Sequence, residues 1–245
     1  MLLRLTLCIG VAASVGLAAV QTATAEPPEY FERLIKEANV TFKFYDPVRE
    51  PRTHRGYTTF HLDVRYRSSY SYRWTDRPGV RLLQVEPKIG PITYQLTNEV
   101  QLPHSLNTDR RWTNSLVKHE FDHVAMTVDP RVRMLIEYLC HRVSGFSHRL
   151  PANGQVNDAL VERLIAQRVD PRYGAVIDML LANEKEFDVV TSHGLRELPD
   201  RAAYFQSLFT EENLKQFKFP YLSEVRPLLR KKSYREAKLP YDMGE

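Results

Sequence analysis

His119-Glu120-Phe121-Asp122-His123 sets two histidines four residues apart, with a glutamate directly after the first. On a helix that spacing puts both imidazoles on one face, where they can share a metal ion, and HExxH is a zinc-site signature. With neutral imidazole ligands and an open coordination position, zinc lowers the pKa of bound water to about 7, and a neighbouring carboxylate can take the proton as hydroxide attacks a carbonyl. The roles that follow are His119 and His123 as metal ligands and Glu120 as general base. Chance produces such a pattern on the order of once per hundred chains of this length. Here Trp112, Leu116, His119, His123 and Met126 fall on one helical stripe facing the protein, where an unpartnered imidazole pair is costly to bury.

A catalytic zinc site has three protein ligands and a water, so a third ligand must come from elsewhere. Asp129 stands six residues after His123, the ligand position of a metzincin, but Met126 occupies the place where that class turns on glycine, and Pro130 ends the helix. Glu137, Glu184 and Glu186 are available by type, and as isolated glutamates they read as solvated helix faces. The segment from Phe187 to Gly194 is more specific, because a turn at a helix end can project His193 back toward the first pair. Its ordinary reading is a capped helix end whose histidine is favoured by the helix dipole.

Trp112 seven residues before His119, the strand end Leu102-Pro103, and the element Phe187-Asp188-x-x-Thr191-x-His193-Gly194 occur together in this chain. In this combination the sequence resembles the bacterial secreted zinc-dependent protease domain family, over about Val40 to Gly194. The resemblance implies a zincin-like metallopeptidase fold and export, with Asp188 and His193 as further site residues. His193 is then the third ligand, and Asp188 orients an imidazole or serves as the alternative ligand. Phe187 stands where the family pattern has tyrosine; if that hydroxyl assists an oxyanion, Tyr173 or Tyr204 must replace it.

Positioning this site is the work of two unlike halves. Phe60, Leu62, Val64 and Tyr66 alternate with His61, Asp63 and Arg65, the period of a half-buried strand, and Tyr70, Tyr72 and Trp74 continue it. Val80 to Val85 and Ile92 to Leu102 supply further strands, with Pro78-Gly79 and Gly90-Pro91 as turns. This predicts an antiparallel sheet of three to five strands, with Thr93 to Gln101 as an edge to which an extended peptide could add. After Pro103 the spacing becomes helical. Asn107-Thr108-Asp109 caps the HExxH helix, which runs to Asp129-Pro130, and helices follow over 131–144, 156–167 and 174–190. The predicted fold is α+β, a sheet followed by a helical half that carries the zinc helix, with the cleft between them.

Arg4, the apolar run Leu5 to Val20 and the small residues Thr22-Ala23-Thr24-Ala25 read as a signal peptide over 1–25. A single domain over 26–245 follows, ending in a basic tail (Arg226, Arg230, Lys231, Lys232, Arg235, Lys238). The expected location is secreted or periplasmic, with no stable membrane insertion after cleavage. Beyond the signal Cys140 stands alone, so an internal disulfide is excluded. The 34 basic residues against 30 acidic ones give a net charge of only +4, dispersed over the chain, and no nucleic-acid module is present. The predicted function is a secreted metallopeptidase with Zn2+ as cofactor and a peptide or protein as substrate. The alternative is a secreted zinc-containing binding module for envelope polymers or a partner protein, with Tyr66, Tyr70, Tyr72 and Trp74 stacking on sugars. Glu120 favours the enzyme, because a structural zinc closes with four protein ligands and needs no carboxylate beside them.

Overall fold

The structure, a computed structural model, describes residues 26–241. The signal peptide assigned to 1–25 lies outside the described residues. A helix α1 (Glu29–Glu37) leads into β1 (Val40–Tyr45), and then come the long strands β2 (Tyr57–Arg77) and β3 (Val80–Pro103). Two 3-10 turns (His104–Leu106 and Asp109–Thr113) connect these to α2 (Ser115–Thr127) and α3 (Pro130–His141). The strand β4 (Phe146–Pro151) precedes α4 (Asp158–Thr191), and α5 (Arg201–Ser207), α6 (Glu211–Gln216), α7 (Leu222–Leu229) and α8 (Lys232–Arg235) complete the chain. One cluster of buried apolar residues runs from Tyr30 to Tyr241. No helix among the described residues is long and apolar enough to cross a membrane.

The α+β class holds, but the sheet is mixed rather than antiparallel. β2 and β3 form an antiparallel hairpin, while β1 pairs with β3 in parallel, Val40 opposite Asn98 through Tyr45 opposite Pro103. β3 enters the gap between β1 and β2, and alternation along a strand cannot report that neighbour order. The expected edge at Thr93 to Gln101 is therefore corrected in its second half. Thr93 to Thr97 pair with β2 alone, whereas Asn98 to Gln101 are paired on both sides, and β2 is itself an edge strand.

Pro78-Gly79 forms the two-residue hairpin turn, with Gly79 at φ 74°, where a side chain would be strained. Gly90-Pro91 is no turn. It lies inside β3 opposite Arg67, at the shift in register between Tyr66 and Ser68, which is a bulge. Proline is tolerated there because a bulge asks for no ladder N–H. A Cβ on Gly90 would lie 3.2 Å from the Arg67 carbonyl, so glycine fits the crowding.

The helical half also departs from the local pattern. Asn114, not Asn107 to Asp109, caps α2, its side chain accepting from the Leu116 N–H. Trp112 sits in the preceding 3-10 turn and packs with Phe31, Phe42 and Phe121. The two helices expected over 156–167 and 174–190 are one helix, α4, with Pro171 inside it. An internal proline costs about 3 kcal/mol; burial of Val161, Leu164, Ile165, Val169, Val176 and Leu180 along α4 offsets that. The basic C-terminal stretch is not a tail: Val225, Leu228, Leu229 and Tyr234 are buried, and its basic side chains face outward.

Candidate metal centre

α2 presents His119 and His123 on one face, and α4 packs against that face with Asp188. His119 Nε2 lies 3.1 Å and His123 Nε2 3.0 Å from Asp188 Oδ1, and the three donor atoms all fall within 4.8 Å of one another. A tetrahedral zinc with bonds of about 2.0–2.1 Å separates its ligand atoms by about 3.3 Å, close to the two distances from Asp188 to the imidazoles, and two imidazoles with one carboxylate are a donor set that suits the ion. Both imidazoles are 6% exposed, and Asp188 is half-buried. Burial works against the ionised Asp188 carboxylate, but the hydrogen bonds from His119 and His123 outweigh it and hold the group well below the usual carboxylate range.

The turn after α4 accounts for the rest of the motif. His193 N–H donates to the Asp188 carbonyl at 2.8 Å and Ser192 N–H to that of Val189, the two bonds of a Schellman end. Ser192, His193 and Gly194 then follow in left-handed backbone, at φ 49°, 53° and 77°. A Cβ on Gly194 would lie 2.9 Å from His119 Cγ, so glycine lets the turn lie flat against that ring. Thr191 Oγ1 donates to the Phe187 carbonyl at 2.6 Å and faces His119 Nδ1 at 3.5 Å. As an acceptor for Nδ1–H, it favours the tautomer that leaves His119 Nε2 free for a metal. Phe187 stacks under His119 with ring centroids 4.9 Å apart and meets His123 edge-on at 5.2 Å. A para-hydroxyl is not needed for that support. Neither Tyr173 nor Tyr204 lines the cleft; Tyr57 does.

His193 stands apart from the donor group. Its Nδ1 is 3.4 Å from Asp188 Oδ1, but its side chain is 41% exposed and stacks on His54 at 3.6 Å. The left-handed turn carries it to the rim, whereas Asp188, still inside α4, faces α2. The structure thus joins Asp188, not His193, to the two histidines. Asp129 is not brought to the site at all. Pro130 opens α3, which makes Asp129 its N-cap, and the carboxylate is consumed by Arg131 and by the Tyr241 hydroxyl.

Glu120 is 2% exposed, and its Oε2 accepts from Thr58 Oγ1 at 2.7 Å. Burial pushes its carboxyl up, against the pull of His123, His119 and Thr58. A Cβ on Gly56 would fall 2.1 Å from Glu120 Oε1, so the start of β2 can pass over the carboxylate only as glycine. In the same cleft, burial and the charges of Asp188 and Glu120 push the Glu184 carboxyl up to about 7, although His123 pulls the other way. Burial also opposes charge on His123, yet Asp188, Glu120 and Glu184 raise its pKa.

These groups line a cleft of about 440 Å³ between the Gly56–Phe60 stretch and α4, and a neighbouring cavity of about 670 Å³ shares His54, Asp188 and His193 with it. Sequence reasoning missed His54, Gly56 and Thr58, which belong to no motif. It passed over Glu184, for which the four-residue spacing to Asp188 was an available signal. No family model, curated protein or solved structure matches this chain.

Proposed function

We propose that this chain is a secreted or periplasmic zinc metallopeptidase of zincin type, in line with its resemblance to the bacterial secreted zinc-dependent protease domains. The observation that carries the reading is the convergence of His119, His123 and Asp188 with Glu120 beside them. His119, His123 and Asp188 would hold the ion, which when bound supplies Lewis acidity and a water of lowered pKa. Glu120, held by Thr58, takes the proton from the attacking water and returns it to the leaving amine. Thr191 and Phe187 orient His119. The open edge of β2, whose residues Tyr57 to Phe60 line the cleft, is where an extended peptide would add as a strand.

The binding-module alternative relies on aromatic residues that are largely engaged. The Tyr66 hydroxyl donates to Asp170 and that of Tyr70 to Glu162, while Trp74 is half exposed. Metal analysis of the purified chain and a casein assay with and without chelator test the proposal. Bound zinc with chelator-sensitive cleavage is expected. Bound zinc with no cleavage of casein or of a peptide library would turn the assignment to the binding module.

A further inference from the structure

Three carboxylates line the cleft, and the mechanism above uses two, leaving Glu184 without a task. Glu184 lies one helical turn before Asp188 on α4, so both project from the same face. Its Oε1 is closed to solvent and receives no hydrogen bond among the described residues, while the residue as a whole is partly exposed where it lines the cleft. A carboxylate oxygen shut off from water with no donor is unfavourable, and such a group calls for a partner.

Candidate partners within the chain are otherwise occupied or directed elsewhere. Thr58 donates to Glu120. Both imidazoles turn their Nε2 atoms to Asp188. Lys185 follows Glu184 directly and also lines the cleft, but it is exposed, successive helix residues diverge by about 100°, and it gives no hydrogen bond to the Glu184 Oε1 among the described residues. Glu184 is also not among the donor atoms that cluster within 4.8 Å, so it is not drawn in as a metal ligand. What remains is the cleft itself. Leu181 and Tyr57, 47% and 56% exposed, line it as well, and offer apolar and aromatic surface to the stem of a long cationic side chain.

We propose that Glu184 is a cation subsite of this cleft, receiving the ammonium or guanidinium group of a peptide ligand, whether a Lys or Arg side chain or a free amino terminus. That the ligand is a peptide rests on the function proposed above; the preference for a cation rests on Glu184 alone. A cation seated there pairs with the Glu184 carboxylate through a charge-assisted hydrogen bond.

The test is calorimetric binding to the zinc-loaded chain carrying Glu120→Gln, so that binding is read without turnover. The probes are hexapeptides that differ only in norleucine, lysine or arginine at one position, each with a free or acetylated amino terminus. Cationic peptides are expected to bind at least about tenfold tighter than the acetylated norleucine peptide. Adding Glu184→Gln should shrink that ratio below about threefold, with Glu184→Asp keeping part of it and the zinc dissociation constant moving less than about threefold. An advantage confined to free amino termini, or one confined to the side chains, names the source of the cation, and either supports the subsite. Equal binding of charged and neutral peptides, or no binding of any of them, overturns it. So does loss of zinc in Glu184→Gln, which would make Glu184 a metal ligand. Failure of the wild-type chain to hydrolyse these peptides, with the cation preference intact, would remove the peptidase assignment and leave the subsite standing.

Discussion

At Asp129 the fold closes an acid with a cation of its own, whereas at Asp188 it leaves the acid among imidazoles. Asp129 receives Arg131 Nε at 3.0 Å, Arg131 Nη2 at 2.6 Å and the Tyr241 hydroxyl at 3.0 Å, and Arg131 spends further N–H groups on the carbonyls of Phe205 and Gln206. Asp122, inside the HExxH stretch, follows the same rule with Arg201. Asp188, Glu120 and Glu184 face each other across two histidines, and none of them pairs with Lys or Arg among the described residues. Burial does not separate the two groups, since Asp129 is 0% and Glu120 2% exposed. Charge balance does. Acids that hold the fold together carry an arginine with them, whereas the acids of the cleft have beside them only imidazoles, whose charge depends on pH, and so leave room for a cation from outside.

Exchanging the two aspartates for asparagine should separate these roles most sharply. Asp188→Asn is expected to weaken zinc binding by more than about a hundredfold, beyond what loss of an orienting group does, while the fold survives. Asp129→Asn leaves Arg131 buried beside a neutral amide and should cost about 3–5 kcal/mol of stability with zinc affinity nearly unchanged. Zinc titration and denaturant melts of both variants check this. Loss of zinc in Asp129→Asn together with retention in Asp188→Asn would invert the comparison.

Glu120→Gln tests whether the unbalanced acids act chemically. Hydrolysis should fall about a hundredfold or more with zinc retained, the usual effect of removing a general base. Thr58→Val, which takes away the hydroxyl that holds Glu120, should lower the rate by less and also leave the metal in place. A Glu120→Gln protein of full activity would dismiss the mechanism.

How much of this was legible followed from how local each contact is. His119, Glu120 and His123 share one helix, so their spacing alone fixed their geometry. The pairing of Thr58 with Glu120 spans 62 residues and depends on where β2 lies in the sheet, which no pattern along β2 encodes. Gly56 is conspicuous only once Glu120 is placed above it. Pro171 looked like a break between helices because local propensity disfavours it, and the packing of both halves of α4 overrode that. Preference for His193 over Asp188 rested on the chemistry of imidazole as a ligand, but the choice was made by backbone geometry, in the left-handed turn that follows Thr191.

Stability against pH should reverse direction when metal binds. In the metal-free chain the His123 pKa is raised, so its contribution is full below the unfolded value of about 6.5 and is lost as pH rises through the folded value. Glu184, raised to about 7, favours its protonated form in the fold, so stability also drains away between about pH 4.3 and that value. Both effects have one sign: the metal-free protein melts at lower temperature at pH 8 than at pH 6. With zinc in excess the ligands must be deprotonated to bind, so stabilisation by the ion grows over the same interval. Melting curves at the two pH values, with zinc and with chelator, read all four states. Parallel slopes with and without metal would show that the cleft acids are already balanced within the chain.

The smallest effect is expected at His193. The sequence alone ranks it as the third ligand, and in that role His193→Ala would strip the metal. In the structure it meets the donor group at Asp188, at 3.4 Å, from an exposed rim position, and its ring lies on His54. Its removal should therefore weaken zinc binding by no more than about tenfold, the scale of a group that orients a ligand without being one. His54→Ala, which takes away the stacking partner and none of the donors, should change zinc affinity less still. The comparison with Asp188→Asn makes the measurement decisive: if His193→Ala costs as much zinc affinity as Asp188→Asn, the ion lies nearer the rim than the His119, His123 and Asp188 group, and the division between enclosed donors and an exposed rim fails at this residue.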